Sequence, residues 1–255
     1  MLTEGHAAIV TGGGSGLGEA TATALAAAGC RVAVLDLNEA AAQAVATRIG
    51  AIAIACDVAD DASATAAVAH AKAAHGAARI IVNCAGVATP GRVVGRDGPL
   101  PLAAFERVVR VNLIGTFNIL RLAAHDLSQL EPLGGGDGER GVIINTASVA
   151  AFDGQIGQAA YAASKGAVAA MTLPIARELA RVGIRCLTIA PGLFLTPLLA
   201  TLPDEVQKSL GAAIPFPARL GKPEEFAAMV LTLVQNSFMN GETIRLDGAL
   251  RMAPK

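Results

Sequence analysis

Short apolar runs alternate along the chain with longer segments in which apolar positions recur every three or four residues. The runs predict strands at 7–10, 31–35, 51–55, 80–83, 141–147, 184–190 and 242–246, and the longer segments predict helices at 17–28, 39–48, 61–75, 102–130, 158–181 and 223–235. This alternation is typical of parallel strands joined by right-handed crossovers. We therefore expect a single doubly wound α/β domain over residues 1–255, with a seven-stranded parallel sheet.

A glycine-rich turn follows the first predicted strand. The segment Thr11-Gly12-Gly13-Gly14-Ser15-Gly16-Leu17-Gly18 leads from that strand into an alanine-rich helix. Glycines at 12, 16 and 18 let the backbone approach a pyrophosphate, and the helix N-terminus behind them offers unpaired N–H groups. The alternative is an ordinary tight turn. In its context of strand, turn and helix, the segment predicts a dinucleotide site at the start of a Rossmann-like fold.

Asp36 ends the second predicted strand, eighteen residues after Gly18. An acidic side chain at this place can bind the 2'-hydroxyl of the adenine ribose. A 2'-phosphate would be repelled by the carboxylate, and neither Gly14 nor Leu37 supplies a cation to neutralise it. Asp36 therefore predicts NAD as the cofactor rather than NADP.

Tyr161, the only tyrosine of the chain, stands four residues before Lys165. Residues at this spacing share one face of a helix, so an ammonium would lie beside the phenol. An adjacent cation favours phenolate and lowers its pKa towards the pH at which acid–base catalysis is efficient. The same spacing also occurs on solvated helix faces. The catalytic interpretation is strengthened by Ser148, which follows a buried strand thirteen residues before the tyrosine.

Three motifs together resemble the short-chain dehydrogenase/reductase family over essentially the whole chain. They are the glycine loop, the segment Asn83-Cys84-Ala85-Gly86, in which Cys84 replaces a commoner asparagine, and the set Asn112, Ser148, Tyr161 and Lys165. The resemblance implies that Tyr161 transfers a proton and that Ser148 orients the reacting oxygen. It also implies that Lys165 binds the nicotinamide ribose and that Asn112 holds a water that relays protons.

The resemblance also implies a set of cofactor contacts near the carboxyl ends of the strands. We expect these contacts at Gly12, Ser15, Gly16, Leu17, Gly18, Asp36, Asp57, Val58, Asn83, Cys84, Ala85, Gly86, Tyr161, Lys165, Pro191, Gly192, Phe194 and Thr196. Substrate contacts are expected at Ser148, Gln155 and Tyr161. The segment 194–217 is apolar and contains several prolines, so we expect a mobile loop over the substrate.

Five further segments, at 141–158, 161–177, 189–194, 215–221 and 240–249, are similar to family members that act on 3-hydroxyacyl-CoA. This resemblance implies NAD-dependent interconversion of 3-hydroxyacyl-CoA and 3-oxoacyl-CoA by a homotetramer. Three alternatives stay open: a dehydrogenase of a steroid or another bulky secondary alcohol, a 3-oxoacyl carrier-protein reductase, and a scaffold that binds a dinucleotide without turnover. The second of these would prefer NADPH, which Asp36 disfavours.

The composition argues against several other classes of protein. A net charge of −1 without a long basic run gives no electrostatic signal for nucleic-acid binding. The longest uncharged stretch, 186–203, contains prolines that would break a membrane helix, and the four histidines lack metal-ligand spacing, so neither a membrane span nor a metal is expected. The four cysteines lack a Cys-x-x-Cys pair and are predicted to be buried free thiols. Since the first strand begins within ten residues, we expect no signal peptide and a cytoplasmic protein.

Overall fold

The computed structural model describes residues 3–200 and 203–254, and seven strands lie in this part of the chain. The strands are β1 (Ala7–Thr11), β2 (Arg31–Asp36), β3 (Ile52–Ala55), β4 (Ile80–Asn83), β5 (Gly141–Thr146), β6 (Ile184–Pro191) and β7 (Thr243–Leu246). The helices are α1 (Gly16–Ala27), α2 (Glu39–Ile49), α3 (Asp61–His75), α4 (Leu102–Val109), α5 (Thr116–Ser128), α6 (Ala159–Ala180), α7 (Pro197–Ala200), α8 (Asp204–Ala212) and α9 (Pro223–Gln235).

All the strands are parallel and form one sheet in the order β3-β2-β1-β4-β5-β6-β7. The order reverses between β1 and β4, where an open sheet of this kind forms a crevice beyond the carboxyl ends of its strands. The prediction of a doubly wound, Rossmann-like fold is therefore confirmed. The predicted strand bounds agree with the observed ones to within one residue.

Side chains that alternate along the strands form two cores, one on each face of the sheet. On one face, Ile9 and Leu35 belong to a cluster that includes buried residues of α3 and α5. On the other face, Val10 and Val34 belong to a cluster that includes buried residues of α1, α2 and α9. Because helices cover both faces, the strands are apolar on both sides, which explains the continuous apolar runs in the sequence.

The helix predicted at 102–130 is divided into three parts. A π-helix at Arg110–Gly115 separates α4 from α5, and Asn112 lies inside it with its side chain fully buried. The added Cβ of any larger residue at Gly115 would lie 2.5 Å from Cγ2 of Val58, so the turn packs closely against the segment after β3. A π turn holds one more residue than an α-helical turn would, and such turns are frequent at functional sites.

The segment predicted as a loop at 194–217 is also different from the expectation, because it contains α7 and α8. Pro197 is the first residue of α7, and Pro203 occupies the N-cap position of α8. Proline suits the start of a helix because its missing N–H would have no intrahelical partner there. Pro197 and Pro203 therefore lie at the starts of two short helices within the segment that was predicted to be a loop.

Candidate active site

A cleft of about 1190 Å³ is lined by residues that follow the carboxyl ends of β1 to β6. Many of the residues predicted to bind a dinucleotide line this cleft, and Tyr161 and Lys165 line it too. The predicted residues that line it are Gly12, Ser15, Gly16, Leu17, Gly18, Asp36, Asp57, Val58, Cys84, Ala85, Gly86, Tyr161, Lys165, Pro191 and Thr196. The structure thus brings the glycine turn and the proton-transfer pair to one cavity.

The glycine turn forms a cradle that side chains would fill. A Cβ at Gly18 would lie 2.1 Å from the carbonyl oxygen of Gly12, and a Cβ at Gly12 would lie 2.8 Å from the backbone of Ala85. Gly12 also has a φ of +62°, a left-handed conformation that favours glycine. Helix α1 begins at Gly16, and the first N–H groups of a helix have no intrahelical partners. These features fit a pyrophosphate.

The carboxylate of Asp36 is held at the wall of the cleft by two backbone donors. Its Oδ2 accepts a hydrogen bond of 2.9 Å from the N–H of Gly14, and its Oδ1 accepts one of 2.9 Å from the N–H of Asn38. A Cβ at Gly14 would lie 2.9 Å from Oδ2 of Asp36, so this position has no space for a cationic side chain. Within residues 3–200 and 203–254, Asp36 forms no ion pair.

Ser148, Tyr161 and Lys165 come together where β5 ends and α6 begins. Ser148 directly precedes a short 3-10 helix at Val149–Ala151, and its Oγ accepts a hydrogen bond of 3.1 Å from the N–H of Ala150. The hydroxyl of Ser148 also lies close enough to the phenol of Tyr161 to lower the pKa of that phenol by hydrogen bonding. The ammonium nitrogen of Lys165 lies 5.8 Å from the centre of the Tyr161 ring and donates a hydrogen bond of 2.7 Å to the carbonyl oxygen of Thr146.

Asn112 is the link between the segment after β4 and helix α6. Its Oδ1 accepts a hydrogen bond of 2.7 Å from the N–H of Val87, and its Nδ2 donates to the carbonyl oxygen of Val87 and to Oγ of Ser164. Ser164 in turn donates to the carbonyl oxygen of Tyr161. Both amide hydrogens of Asn112 therefore have protein partners, so a water held here would have to donate to an oxygen of this residue.

Gly86 marks where Asn112 and Lys165 approach each other. A Cβ at Gly86 would lie 3.2 Å from Oδ1 of Asn112 and 3.4 Å from Nζ of Lys165. A side chain at this position would therefore crowd both groups, and glycine leaves the space between them open. The structure accordingly brings all four residues of the predicted catalytic set into one neighbourhood.

Burial changes the pKa of both titratable groups of the pair. It raises the pKa of the Tyr161 phenol, and the hydrogen bond with Ser148 opposes this rise. It lowers the pKa of Lys165 to about 8. The prediction that the pKa of Tyr161 is lowered is therefore wrong in direction. The physical reason is that burial disfavours the charged phenolate, and this effect is larger than the opposing effect of Ser148.

A sequence model of one protein family, described as short chain dehydrogenase, matches residues 6–207. The chain belongs to the short-chain dehydrogenase family. It is 51% identical over 255 residues to the 3-hydroxyacyl-CoA dehydrogenase type-2 of Bos taurus, with 98% of this chain and 97% of the relative covered. Members of this family are oxidoreductases, and this protein is one.

Two solved structures of the family show the same fold. The 3-hydroxyacyl-CoA dehydrogenase type-2 of Mycobacterium avium has a TM-score of 0.92 and 41% identity, with 98% of each chain covered. The 3-ketoacyl-(acyl-carrier-protein) reductase of Brucella melitensis, solved in complex with NADH, has a TM-score of 0.87 and 33% identity, with 98% of this chain and all of that chain covered. The resemblance to the short-chain dehydrogenase family is thus confirmed.

Besides Ser148, which lies beside Tyr161 after β5, four predicted contact residues do not line the cleft of this short-chain dehydrogenase. Asn83 is buried and donates a hydrogen bond of 2.9 Å to Oδ1 of Asn145 on β5. Phe194 is buried against the ring of Phe226, with the ring centres 6.4 Å apart. A Cβ at Gly192 would lie 2.9 Å from Asp247. These three residues make contacts between the elements that surround the cleft, and they do not line the cleft itself.

Gln155, the fourth of these residues, was predicted to contact the substrate. Its Nε2 donates a hydrogen bond of 3.0 Å to the carbonyl oxygen of Ala253, and its Oε1 accepts one of 3.4 Å from Gln158. The N–H of Ile156 likewise donates to the carbonyl oxygen of Pro254. In this structure Gln155 therefore fastens the segment 250–254 to the turn before α6.

Sequence reasoning missed one wall of the cleft, which is formed by α4 and the π-helix. The residues that line it there are Ala103, Phe105, Glu106, Arg107, Val109, Arg110, Val111 and Ile114. Several of them recur at spacings of three or four residues, and this periodicity could have identified the wall. The carbonyl of Thr146, which accepts from Lys165, could not have been found, because every residue type supplies a carbonyl.

All four cysteines are free, and burial raises the pKa of the Cys84 thiol to about 11, so this thiol is protonated at neutral pH. Among the described residues, no group of three or more His, Cys, Asp and Glu side chains is arranged to hold a metal ion. No helix in the same residues combines the length and the apolar character needed to cross a bilayer.

Proposed function

We propose that this protein interconverts 3-hydroxyacyl-CoA and 3-oxoacyl-CoA, with NAD as the hydride carrier. The observation that carries the chemistry is the meeting of a phenol, a hydroxyl and a buried lysine in a cleft that begins at a glycine cradle. The substrate class is supported by the near-complete alignment with relatives that are named for it.

Each residue of the site has a separate role in the proposed reaction. The turn at 12–18 would hold the pyrophosphate of NAD and Asp36 its adenine ribose, and the cofactor would supply or accept the hydride. Ser148 donates a hydrogen bond to the substrate oxygen and orients it beside the phenol. Tyr161 gives its proton to that oxygen in the reduction and takes a proton from it in the oxidation. Lys165 is cationic below a pKa of about 8 and stabilises the phenolate that the reduction leaves.

The raised pKa of Tyr161 has a consequence for the two directions of the reaction. A phenol that is protonated at neutral pH is ready to donate to a 3-oxo oxygen, whereas the oxidation requires the phenolate. The rate of oxidation should therefore rise with pH, and the rate of reduction should fall as the pH passes through the pKa of the phenol. Absorbance can follow the phenol itself, because the chain has one tyrosine and no tryptophan.

The preference for NAD over NADP rests on Asp36. Both oxygens of its carboxylate are fixed by backbone donors, and Gly14 leaves no room for a cation beside it. A 2'-phosphate in this place would meet an unneutralised negative charge. This arrangement favours the dehydrogenase reading over a carrier-protein reductase that prefers NADPH.

We further propose that the protein is a homotetramer, as the family resemblance implies. Two large apolar side chains that do not line the cleft are exposed on the helices: Phe117 in α5 is 47% exposed and Leu173 in α6 is 44% exposed. An interface between copies of the chain would remove such side chains from water.

The deciding experiment follows NADH absorbance when acetoacetyl-CoA is added to the purified protein. NADPH and a bulky ketone such as a 3-oxosteroid serve as parallel controls. We expect turnover with acetoacetyl-CoA that prefers NADH, and a loss of about 10²- to 10⁴-fold in kcat for Tyr161→Phe, because this change removes the proton donor. A Tyr161→Phe variant as active as the wild type would contradict the mechanism. Turnover of only the bulky ketone would overturn the substrate assignment.

A further inference from the structure

The segment 56–59, which follows β3, forms part of the lining of the cleft. The residues that line it there are Cys56, Asp57, Val58 and Ala59. The N–H of Cys56 donates a hydrogen bond of 2.9 Å to the carbonyl oxygen of Asp36, so the segment begins beside the residue that would hold the adenine ribose. This part of the cleft would therefore receive the adenine end of a dinucleotide.

Hydrogen bonds of Asp57 give the segment its local shape. Oδ1 of Asp57 accepts a hydrogen bond of 2.9 Å from the N–H of Ala59, and its carbonyl oxygen accepts one of 3.2 Å from the N–H of Asp60. The N–H of Asp57 donates a hydrogen bond of 3.0 Å to Oγ of Ser63 in the first turn of α3. These bonds shape the turn, and they leave its place in the cleft to contacts with other elements.

Asn118 on α5 contacts the segment from behind. The residue is buried, with 6% of its surface exposed, and its Nδ2 donates hydrogen bonds of 3.0 Å to the carbonyl oxygen of Val58 and 3.4 Å to that of Asp60. Gly115, three residues earlier, packs closely against the side chain of Val58. The helical segment therefore holds Val58 both by its carbonyl group and by its side chain.

Arg121 determines which way the amide of Asn118 points. Its Nε and Nη2 donate hydrogen bonds of 3.0 and 2.7 Å to Oδ1 of Asn118. A guanidinium has donors only, so the amide oxygen must lie on its side and the amide nitrogen must face the carbonyl oxygens. Nη2 of Arg121 also pairs with Asp61 on α3. The hydrogen bonds thus run in one direction, from Arg121 through Asn118 to Val58.

We propose that Asn118 is a positioning residue for the dinucleotide, which sets the affinity for its adenine half by holding Val58 in place. This inference rests on the proposed use of NAD and adds a residue behind the cleft that acts on the cofactor. Three strands separate β3 from β5, a distance of about 19 Å at the usual strand spacing, so Asn118 acts far from Ser148 and Tyr161. A segment that is already ordered does not have to be ordered by the ligand, and binding is tighter for that reason.

The binding test uses ADP-ribose, which carries the adenine half of NAD and lacks the nicotinamide. We expect Asn118→Ala to raise the Kd for ADP-ribose in calorimetry by about 5- to 30-fold, as for the loss of one or two buried hydrogen bonds. Asn118→Asp keeps an oxygen for Arg121 but loses both donors, so it should weaken binding at least as much. ADP-ribose contains nothing to oxidise or reduce at this site, so the result does not depend on whether acetoacetyl-CoA is turned over. An unchanged Kd in these variants would overturn the proposal.

A kinetic comparison separates positioning from a general disturbance of the site. Reduced nicotinamide mononucleotide carries the same reacting ring as NADH without the adenine half. With acetoacetyl-CoA as substrate, Asn118→Ala should raise KM for NADH by the same factor as the Kd for ADP-ribose and leave kcat at saturating NADH unchanged. Its kcat/KM for the mononucleotide should equal that of the wild type. An equal loss with both cofactors would reject the positioning role.

Arg121→Met provides a second test in case the variants of the buried Asn118 do not fold. The side chain of Arg121 is 43% exposed, and its removal leaves Asn118 present without a fixed orientation. We expect the Kd for ADP-ribose to rise by about 2- to 5-fold. Asp61→Asn is the matched control, because it removes the ion pair of Arg121 and keeps the bonds to Asn118, so the Kd should not change. Wild-type affinity in Arg121→Met, or an equal loss in Asp61→Asn, would contradict the proposal.

Discussion

Lys165 is a charged side chain that is almost entirely removed from water. It is buried with 4% of its surface exposed, its ammonium donates to the carbonyl oxygen of Thr146, and burial lowers its pKa to about 8. A lysine in this state remains cationic at neutral pH and loses its charge in the mildly alkaline range. The positive charge near Tyr161 is thus available at neutral pH. Because a buried charge is costly, keeping Lys165 protonated lowers the free energy of unfolding.

The cost of this buried charge predicts a pH-dependent effect of Lys165→Met. The unfolded lysine holds its proton up to a pH near 10.5 and the folded one releases it near 8, so stability should rise between these values. Relative to the wild type, the variant should therefore gain more at pH 7 than at pH 10, with a difference of about 2 to 3 kcal/mol. Urea unfolding at the two pH values measures this difference.

Lys72→Met is the matched control for this experiment. The ammonium of Lys72 is 51% exposed and pairs with Asp126 at 2.7 Å, so its removal should change stability by less than about 1 kcal/mol. Equal effects of Lys165→Met at both pH values would show that the lysine is not held in a charge-destabilising site.

Residues whose role follows from their chemical type could be predicted from the sequence. Residues whose role depends on contacts with distant parts of the chain could not. Asp36 could be predicted because a carboxylate at the end of β2 has few alternative uses. Gln155 could not be placed, because its partner Ala253 is 98 residues away and offers only a carbonyl. The pKa of Tyr161 was predicted in the wrong direction because the depth of burial depends on the whole fold.

At the scale of elements, the strands and most helices followed from the sequence because each has a simple apolar pattern. The exceptions were α7 and α8, which lie in a segment expected to be a loop, and the helix at 102–130, where the π-helix interrupts the pattern. Its cause is tertiary, since Asn112 is anchored to Val87 and Ser164, which belong to other parts of the chain. Contacts of this kind cannot be predicted from the helix propensities of the residues at 110–115.

Arg185 joins two elements in a way that predicts a large effect on stability. Its guanidinium is buried on β6, pairs with Glu139 at 2.8 Å and donates to the carbonyl oxygens of Leu233 and Val234 in the last turn of α9. We expect Arg185→Met to lower the free energy of unfolding by about 3 to 5 kcal/mol, because it removes a buried guanidinium that pairs with a carboxylate and binds the helix carbonyls.

Arg48→Ala provides the comparison for Arg185. Arg48 also pairs with a carboxylate, that of Glu19 at 2.6 Å, but its side chain is 56% exposed. Its loss should cost less than about 1 kcal/mol in the same denaturant titration. Similar losses for the two variants would show that the position of Arg185 between β6 and α9 adds nothing to an ordinary surface pair.

At the scale of the whole molecule, the prediction concerns assembly. If Phe117 and Leu173 lie in an interface, Phe117→Glu should place a charge there and break the tetramer into smaller species. Light scattering after size-exclusion chromatography measures the mass in multiples of the 25.6 kDa chain. Val206→Glu changes a residue of similar exposure, 42%, on α8 and should leave the mass unchanged. A wild-type mass of one chain would reject the tetramer.

The π-helix also separates the two ends of one long helical segment. Before it, α4 supplies the wall of the cleft, and after it, α5 supplies the core with Ile119, Ala123 and Leu127. In an uninterrupted α-helix each residue advances the face by about 100°, so the orientation of one end would dictate that of the other. The additional residue changes the angle between the face of α4 and the face of α5. Deleting one residue here would rotate the whole wall relative to the core, whereas substitutions within α4 can reshape the pocket while the packing of α5 stays the same.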